Sequence, residues 1–491
     1  MSRTSYLAIV AVAVAAALLG VAAVRTSGED PATTSAEGSA GTAPVSDVAR
    51  ACPTFGTNNA GAPTMSVGNL TLRTDDSAEG GSNKATLVPG GKAVADLGVK
   101  RRGAWASAGV DGKSTAVALN ADGGLAPLST AFAATRPDGD LGGGLAITQC
   151  QQTSSDMWFV GAGSTANRPG TLVLTNPTEV DAVVDVSMYG TREEVEVVGG
   201  SGIVVKSGKS TRIPLDKLGT GEDELAIQVR ASRGTIAASV LDATGKLNSY
   251  SGSEYLPIAA QPSKSSVIGG VPTGSDEREL LVANPGDRAA NVSVTVAGKN
   301  GTSTQSGLES VSVDAGAVEP VDIPDGVGEA ALSIRLKSNV PVTGAVRLTS
   351  GSDVAYAAAN DGLKGPVAVP TGIGDALSSG DLSIAATPAS PDKAATMQLR
   401  AFGADGQAVG KPANVEVAAG TTASFDPLNK VGVARGKTAY VTVQTSGAPV
   451  RATATYRDGE KMGVLPLVDL PATIVRPAVS ATGAESASGP R

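Results

Sequence analysis

Few side chains in this sequence have types and spacings suited to catalysis. The chain has 491 residues and no histidine, which excludes histidine-based catalytic triads, imidazole acid–base catalysis and histidine metal ligation. Carboxylates occur in short runs at residues 193–194 and 222–224. A glycosidase would need two of them facing each other across a cleft, and exposed loop acids are the simpler interpretation. We therefore assign no catalytic, cofactor-binding or metal-ligating residue.

An apolar run near the amino terminus predicts export. Residues 7–24 form an uninterrupted apolar stretch of 18 residues, which as a helix would extend about 27 Å, close to the hydrocarbon thickness of a bilayer. The stretch ends in Val-Ala-Ala-Val-Arg, a poor signal-peptidase site. We predict a signal anchor or transmembrane helix over residues 1–25 and a single-pass protein with an extracytoplasmic carboxyl-terminal portion. The alternative is secretion after cleavage.

The polar stretch that follows the apolar run differs from the rest of the chain. Residues 26–50 are rich in Thr, Ser, Ala, Gly and Pro and cannot bury enough apolar surface to fold, so a disordered linker is expected. Cys52 and Cys150 are the only cysteines. In an exported protein such a pair predicts one disulfide.

Three landmarks recur along the chain at one spacing. Leu172 has counterparts at Leu280, 108 residues further along, and at Leu382, a further 102 residues along. A glycine that precedes an apolar residue by five positions, and a short motif near the end of each block, repeat with offsets between 104 and 108 residues. A shorter copy begins near Leu70, and its reduced length predicts a lost or replaced hairpin.

Within each block apolar residues alternate with polar ones, as in residues 290–296. Period-two alternation broken by Asn-Gly and Asp-Gly pairs predicts half-buried strands joined by tight turns. About seven strands per hundred residues matches an immunoglobulin-like sandwich. We predict an all-β fold of tandem immunoglobulin-like β-sandwich modules. The ranges are 51–159 for a first, atypical module with the disulfide, then 160–263, 264–366 and 367–473, followed by a flexible tail over 474–491.

One aromatic pair is a candidate contact site. Trp158 and Phe159 stand beside glycines, an arrangement that suits either a binding platform or a core contact between modules. We favour the core contact, placed where the first module meets the second.

The chain resembles an uncharacterised family of membrane-anchored, exported actinobacterial proteins. The resemblance rests on Cys52, Pro53, Cys150, the run at 156–161 and the Leu-Val-Leu-Thr-Asn-Pro motif at 172–177. It implies location and architecture, but no activity and no cofactor.

The formal net charge of −8 and the lack of a basic stripe argue against nucleic acid as a partner. The expected partners are the membrane, through the amino-terminal helix, and either cell-wall glycan or another envelope protein. We therefore predict a non-enzymatic cell-envelope protein that binds or acts as a structural spacer. The alternatives are an accessory factor for surface-polysaccharide or cell-wall assembly, and a carbohydrate-active enzyme with paired carboxylates.

Overall fold

The computed structural model describes residues 41–55, 64–73, 80–137, 143–219, 221–246, 249–324 and 330–476. The predicted anchor at 1–25, the first part of the linker and most of the tail lie outside these residues. Within the described ranges, no helix is long and apolar enough to cross a membrane. The first described strand, β1 (Gly41–Pro44), falls inside the range predicted as linker.

The folded part is built from antiparallel sheets that fall into four modules of two sheets each. In module 1 the first sheet has the order β4-β6-β2-β9 and the second has the order β5-β3-β7-β8. Its strands are β2 (Asp47–Pro53), β3 (Met65–Thr71), β4 (Asn83–Val88), β5 (Trp105–Val110), β6 (Ala116–Asp122), β7 (Ser129–Thr135), β8 (Ala146–Gln149) and β9 (Gln151–Gln152).

Module 2 has a first sheet of order β10-β18-β14-β15, with β16 also on β14, and a second sheet of order β17-β13-β19-β20. A two-stranded β11–β12 hairpin lies beside them. The strands are β10 (Asp156–Ala162), β11 (Ser164–Thr165), β12 (Arg168–Pro169), β13 (Thr171–Asn176), β14 (Ala182–Tyr189), β15 (Glu194–Val195), β16 (Ile203–Val205), β17 (Lys209–Pro214), β18 (Leu225–Arg233), β19 (Ala237–Lys246) and β20 (Ser249–Leu256).

Module 3 repeats this arrangement, but one long strand, β27, contributes its first half to one sheet and its second half to the other. The strands are β21 (Ser263–Val271), β22 (Glu277–Asn284), β23 (Ala290–Gly298), β24 (Gly301–Ser303), β25 (Val311–Val313), β26 (Ala317–Asp322), β27 (Leu332–Ser350) and β28 (Asp353–Ala358).

Module 4 has sheets of order β29-β34-β31-β32 and β33-β30-β35-β36, and a short helix, α1 (Pro427–Val431), capped by Asp426. Its strands are β29 (Val367–Pro370), β30 (Asp381–Pro388), β31 (Ala395–Phe402), β32 (Ala408–Val417), β33 (Ala423–Phe425), β34 (Tyr440–Gly447), β35 (Val450–Asp458) and β36 (Lys461–Pro466). The last strand, β37 (Thr473–Arg476), pairs with β1, and these two strands form a unit distinct from residues 45–472.

The all-β prediction is confirmed, and the repeated landmarks occupy equivalent strand positions. Leu172 lies opposite Ile213, and Leu280 lies opposite Val321, in the same pair of strands of modules 2 and 3. In module 4 the residue opposite Phe425 is Ile384. The counterpart of Leu172 is therefore Ile384 and not Leu382, which corrects the predicted alignment by two residues. The side chains of Leu382 and Ile384 both point into one core, because residues two apart on a strand lie on the same face.

The boundaries and the first module also differ from the predicted ranges. Strand β10 begins at Asp156 and pairs within module 2, so that module starts before the predicted boundary at residue 160. Where module 2 has the short strands β15 and β16 on β14, the described part of module 1 has two isolated bridges on β4, Thr86–Ala93 and Asn83–Val99, and it carries β9 at the opposite edge of that sheet. The shorter copy thus replaces the edge strands by a shorter bridged segment and gains a strand at the other edge.

Packing between modules follows one rule. The second sheet of each module packs on the first sheet of the module before it, as when Leu281 and Ala283 of β22 bury Trp158 of β10. Module 1 completes the series, because Leu70 and Phe132 of its second sheet share a core with the first sheet of module 4. The contacts therefore run in a closed cycle, and residues 45–472 form one compact unit. This explains why strands such as β13 and β22 are apolar on both faces.

The closed cycle brings together the last strand of each module. Strands β8, β20, β28 and β36 are each the edge strand of a second sheet, and each contacts the next around the cycle. An edge strand presents unpaired backbone N–H and C=O groups. Four edges meeting in the interior require other partners for these groups.

Cys52 and Cys150, which are 98 positions apart in the sequence, are joined by a disulfide. The disulfide lies in the core of module 1. Closing such a loop is worth roughly 4–5 kcal/mol in the chain-entropy model. We expect reduction to lower the free energy of unfolding by about this amount, measured by urea unfolding with and without reductant. A Cys52→Ala/Cys150→Ala variant should show no response to reductant. Equal midpoints for oxidised and reduced wild type would contradict the expectation.

Candidate functional site

The main concave feature of the described residues is a cavity of about 850 Å³, here called the central cavity, to which all four modules contribute. Its longest continuous run of lining residues with polar side chains includes the segment 148–154, from the end of β8 through β9 towards module 2, which carries three glutamines and three hydroxyl side chains. Three cationic and three acidic side chains complete the polar lining: Arg50, Lys364 and Arg451 with Asp156, Asp361 and Asp469.

The acidic side chains of the central cavity are partly engaged. Asp156 Oδ1 accepts a hydrogen bond of 2.9 Å from the side chain of Gln228. Asp469 accepts the backbone N–H groups of Lys364 and Gly365 at 2.9 and 3.0 Å. Among the described residues, no group of three or more His, Cys, Asp or Glu side chains could hold a metal ion.

Two polar atoms near the central cavity have no partner among the described residues. They are Nε of Arg50 and Oδ1 of Asn360, and both side chains are buried. Burial lowers the pKa of Arg50 to about 10, so its guanidinium stays charged at neutral pH. A buried polar atom without a partner carries a free-energy cost.

Two buried carboxylates that do not line the cavity accept backbone N–H groups where the four edge strands meet. Asp353 of β28 accepts N–H groups from Leu145 in module 1 and Met462 in module 4, at 3.1 and 2.8 Å. Glu254 of β20 accepts the N–H of Ile147 at 3.1 Å. We call Asp353 and Glu254 the hub acids. They take the place of ladder partners where the four edge strands meet.

The hub acids are desolvated. Burial raises the pKa of Asp353 to about 6, against the opposing effect of its backbone N–H donors. Burial also raises the pKa of Glu254 well above its ordinary value, and the nearby charge of Asp353 adds to the rise. A carboxyl whose pKa is higher in the folded protein than in the unfolded chain stabilises the fold when it is protonated.

The contribution of Asp353 is therefore complete below about pH 4 and is lost as the pH rises through about 6. We expect the free energy of unfolding of wild type, relative to that of Asp353→Asn, to be roughly 2–3 kcal/mol higher at about pH 4.5 than at about pH 7.5. Urea unfolding of both proteins at the two pH values measures it. A difference independent of pH would contradict the proposed titration.

A second buried charged cluster, here called the Arg168 network, joins modules 2 and 3. Arg168 donates to Glu224 at 2.8 Å and to Asp242 at 3.0 Å. From module 3, Tyr356 donates its hydroxyl to Asp242 at 2.6 Å, and Arg347 pairs with Glu224 at 3.5 Å. The prediction that the acids at 222–224 are exposed is wrong for Glu224, which is buried. Burial raises the pKa of Glu224 to about 7, against the attraction of Arg168 and Arg347.

A glycine allows this network to form. Gly161 has a φ of 111° at the point where the register of β10 shifts, and its carbonyl accepts a 2.7 Å hydrogen bond from Arg168. A Cβ atom at this position would lie 2.9 Å from the ring of Tyr356. Only glycine meets both requirements without strain.

The predicted aromatic pair lies in cores. Trp158 is buried against module 3, stacks on Tyr189 with ring centroids 5.6 Å apart, and donates its indole N–H to Gln261 at 3.1 Å. Phe159 is buried in the core of module 2. The contact formed by Trp158 therefore joins modules 2 and 3, and not modules 1 and 2 as expected.

The hub acids, Arg50 and Arg168 were not singled out from the sequence. One available signal was an acidic residue inside an apolar strand, as in Asp-Val-Ala-Tyr at 353–356. A charged side chain flanked by buried residues is seldom left without partners.

Together these features define a class of protein: an all-β chain of paired antiparallel sheets, closed into a cycle, with one polar cavity at the junction of its modules. The model of the family of unknown function DUF5719 matches residues 105–428, and the chain belongs to this family. The match begins at the first residue of β5 and ends in α1, so it includes modules 2 and 3 completely. No curated protein matches the chain.

Proposed function

We propose that the chain is a non-enzymatic, extracytoplasmic glycan-binding protein of the cell envelope, and that the central cavity is its binding site. The observation that carries the proposal is the lining of the cavity, in which amide and hydroxyl side chains of 148–154 face charges that balance in sign. Planar amides and paired charges match the hydroxyl groups of a sugar, which both donate and accept hydrogen bonds.

Location is part of the proposal. The apolar run at 7–24 would tether the chain to the membrane, in keeping with an actinobacterial envelope protein of immunoglobulin-like modules. The disulfide between Cys52 and Cys150 supports an oxidising compartment outside the cytoplasm. The cyclic packing favours binding over a role as an extended spacer, because a closed cycle reaches less far than four modules in a line.

The state of the buried acids supports a non-enzymatic role. The hub acids use their oxygens to accept backbone N–H groups of edge strands and do not line the central cavity. The carboxylate oxygens of the hub acids thus serve to join modules.

The test is binding of residues 45–472 to an array of envelope-type glycans, followed by calorimetry on each hit. We expect saturable binding that falls at least tenfold in a Gln152→Ala/Asn360→Ala variant. Gln305→Ala is the matched control, because Gln305 is half-buried in module 3, its side-chain amide donates to Ser303, and it does not line the central cavity. If the Gln152→Ala/Asn360→Ala variant and the Gln305→Ala variant bind with equal affinity, glycans bind elsewhere on the protein. No binding to any glycan would refute the proposal.

A glycoside hydrolase is the second candidate, since Asp361 and Asp469 line one cavity. Release of reducing ends from a bound glycan, abolished by Asp361→Asn, would favour it. Binding without release favours the non-enzymatic role, including that of an accessory factor in polysaccharide assembly.

A further inference from the structure

Arg50 is the most unusual charged residue of the central cavity. It belongs to β2, is only 5% exposed, and donates Nη2 to the carbonyl oxygen of Ser129 at 2.9 Å and to the amide oxygen of Gln152 at 3.3 Å. Both acceptors are neutral, and its Nε has no partner among the described residues. Within the same ranges, no carboxylate forms an ion pair with it.

Arg168 shows one way in which this fold accommodates a buried guanidinium. Its side chain is 7% exposed, and it pairs with two buried carboxylates. Arg50 is buried to a similar extent with no counter-ion. Removing a guanidinium from water without an anion is costly. Arg102 is also buried and bonds to the carbonyl oxygens of Leu72 and Pro127, but it does not line the central cavity, whereas Arg50 does.

The surroundings of Arg50 indicate what would complete it. The adjacent strand β9 supplies Gln151 and Gln152, whose amides can bond the rest of a polar ligand. Arg451 of module 4 also lines the cavity and donates Nε to the carbonyl of Asn360 at 2.7 Å, again a neutral acceptor. Two guanidinium groups thus reach one cavity from different modules. Of the three lining acids, Asp156 and Asp469 already accept hydrogen bonds, and Asp361 lies near Arg451, whose charge it offsets.

We propose that the central cavity recognises a carboxylate on its ligand, and that Arg50 is the residue that binds it. Because Nη2 already donates to Ser129 and Gln152, the carboxylate would accept a charge-assisted hydrogen bond from Nη1. The inference rests on the proposed glycan-binding function, and it names the ligand class as an acidic saccharide such as a uronic acid.

The experiment uses D-glucuronate and D-glucose as charged and neutral probes of one size, with thermal unfolding and calorimetry as readouts. We expect glucuronate to raise the unfolding temperature of wild type and to bind at least tenfold more tightly than glucose. Arg50→Gln should abolish this preference, so that glucuronate binds no more tightly than glucose. Arg50→Lys, which keeps the positive charge, should retain part of the preference. Arg288→Gln is the matched control, since Arg288 is exposed and distant from the cavity lining.

The possible outcomes separate this inference from the function on which it rests. Equal binding of glucose and glucuronate would overturn the carboxylate site and leave glycan binding intact. An undiminished preference for glucuronate in Arg50→Gln would also overturn it, because the anion would then bind elsewhere. If neither probe binds, the carboxylate site fails, and the glycan array alone decides the glycan-binding function. Circular dichroism of each variant establishes that the fold is retained.

Discussion

Replacing Arg168 by methionine should destabilise the compact unit by about 3–5 kcal/mol. Glu224 and Asp242 are both buried, and each forms its ion pair with this guanidinium. Removing it leaves the buried Asp242 without this ion pair, and Glu224 with the longer pair to Arg347 at 3.5 Å. Methionine keeps most of the packing of the arginine stem, so the loss reports on charge. The free energy of unfolding from urea titration measures the effect.

The matched control is the exposed ion pair between Lys206 and Asp181, whose atoms are also 2.8 Å apart. Lys206→Met should leave stability unchanged within error, because solvent screens exposed pairs. Adding Glu224→Gln and Asp242→Asn to Arg168→Met should recover part of the loss. A loss for Arg168→Met no larger than that for Lys206→Met would show that the Arg168 network does not join the modules.

The second large effect is expected for Asp353→Ala. This substitution removes the acceptor for Leu145 in module 1 and Met462 in module 4. A buried N–H without a partner costs about 1–3 kcal/mol, so two of them cost roughly 2–6 kcal/mol. Urea unfolding gives the total. Hydrogen exchange should show faster exchange of the Leu145 and Met462 amides specifically.

Asp122→Ala serves as the comparison for Asp353→Ala. Asp122 also accepts a backbone N–H, that of Ser82 at 2.7 Å, but it is exposed to solvent. Water can replace this acceptor, so the loss should be much smaller. If the two substitutions cost the same, or if the amide of Met462 exchanges no faster in Asp353→Ala, Asp353 does not hold the edge strands together.

The sequence was informative about the strands and their repetition. Alternation in residues such as 290–296 reflects one face in a core and one face outward, and the structure shows the same alternation in β23. The error at Leu382 has a physical cause. Residues two apart on a strand share a face, and both Leu382 and Ile384 are buried in the same cluster. Hydrophobic pattern alone cannot distinguish registers that differ by two.

The cyclic arrangement and the central cavity could not be predicted, because both depend on contacts between distant parts of the chain. Trp105 of module 1, for example, lies 6.3 Å from the ring of Tyr440 in module 4, and the hydroxyl of Tyr440 donates to Gly103 at 2.8 Å. Local periodicity carries no information about such pairs. Arg50 likewise reads as an ordinary surface cation until β9 and module 4 surround it.

The central claim is that module 1 packs on module 4, so that four modules close into a cycle. Small-angle scattering of residues 45–472 tests this most directly. A compact chain of this length should have a radius of gyration of about 22 Å and a single-peaked distance distribution. A radius above about 35 Å, well beyond the compact-domain scaling, with a long tail in that distribution, would show modules strung in a line and would contradict the account.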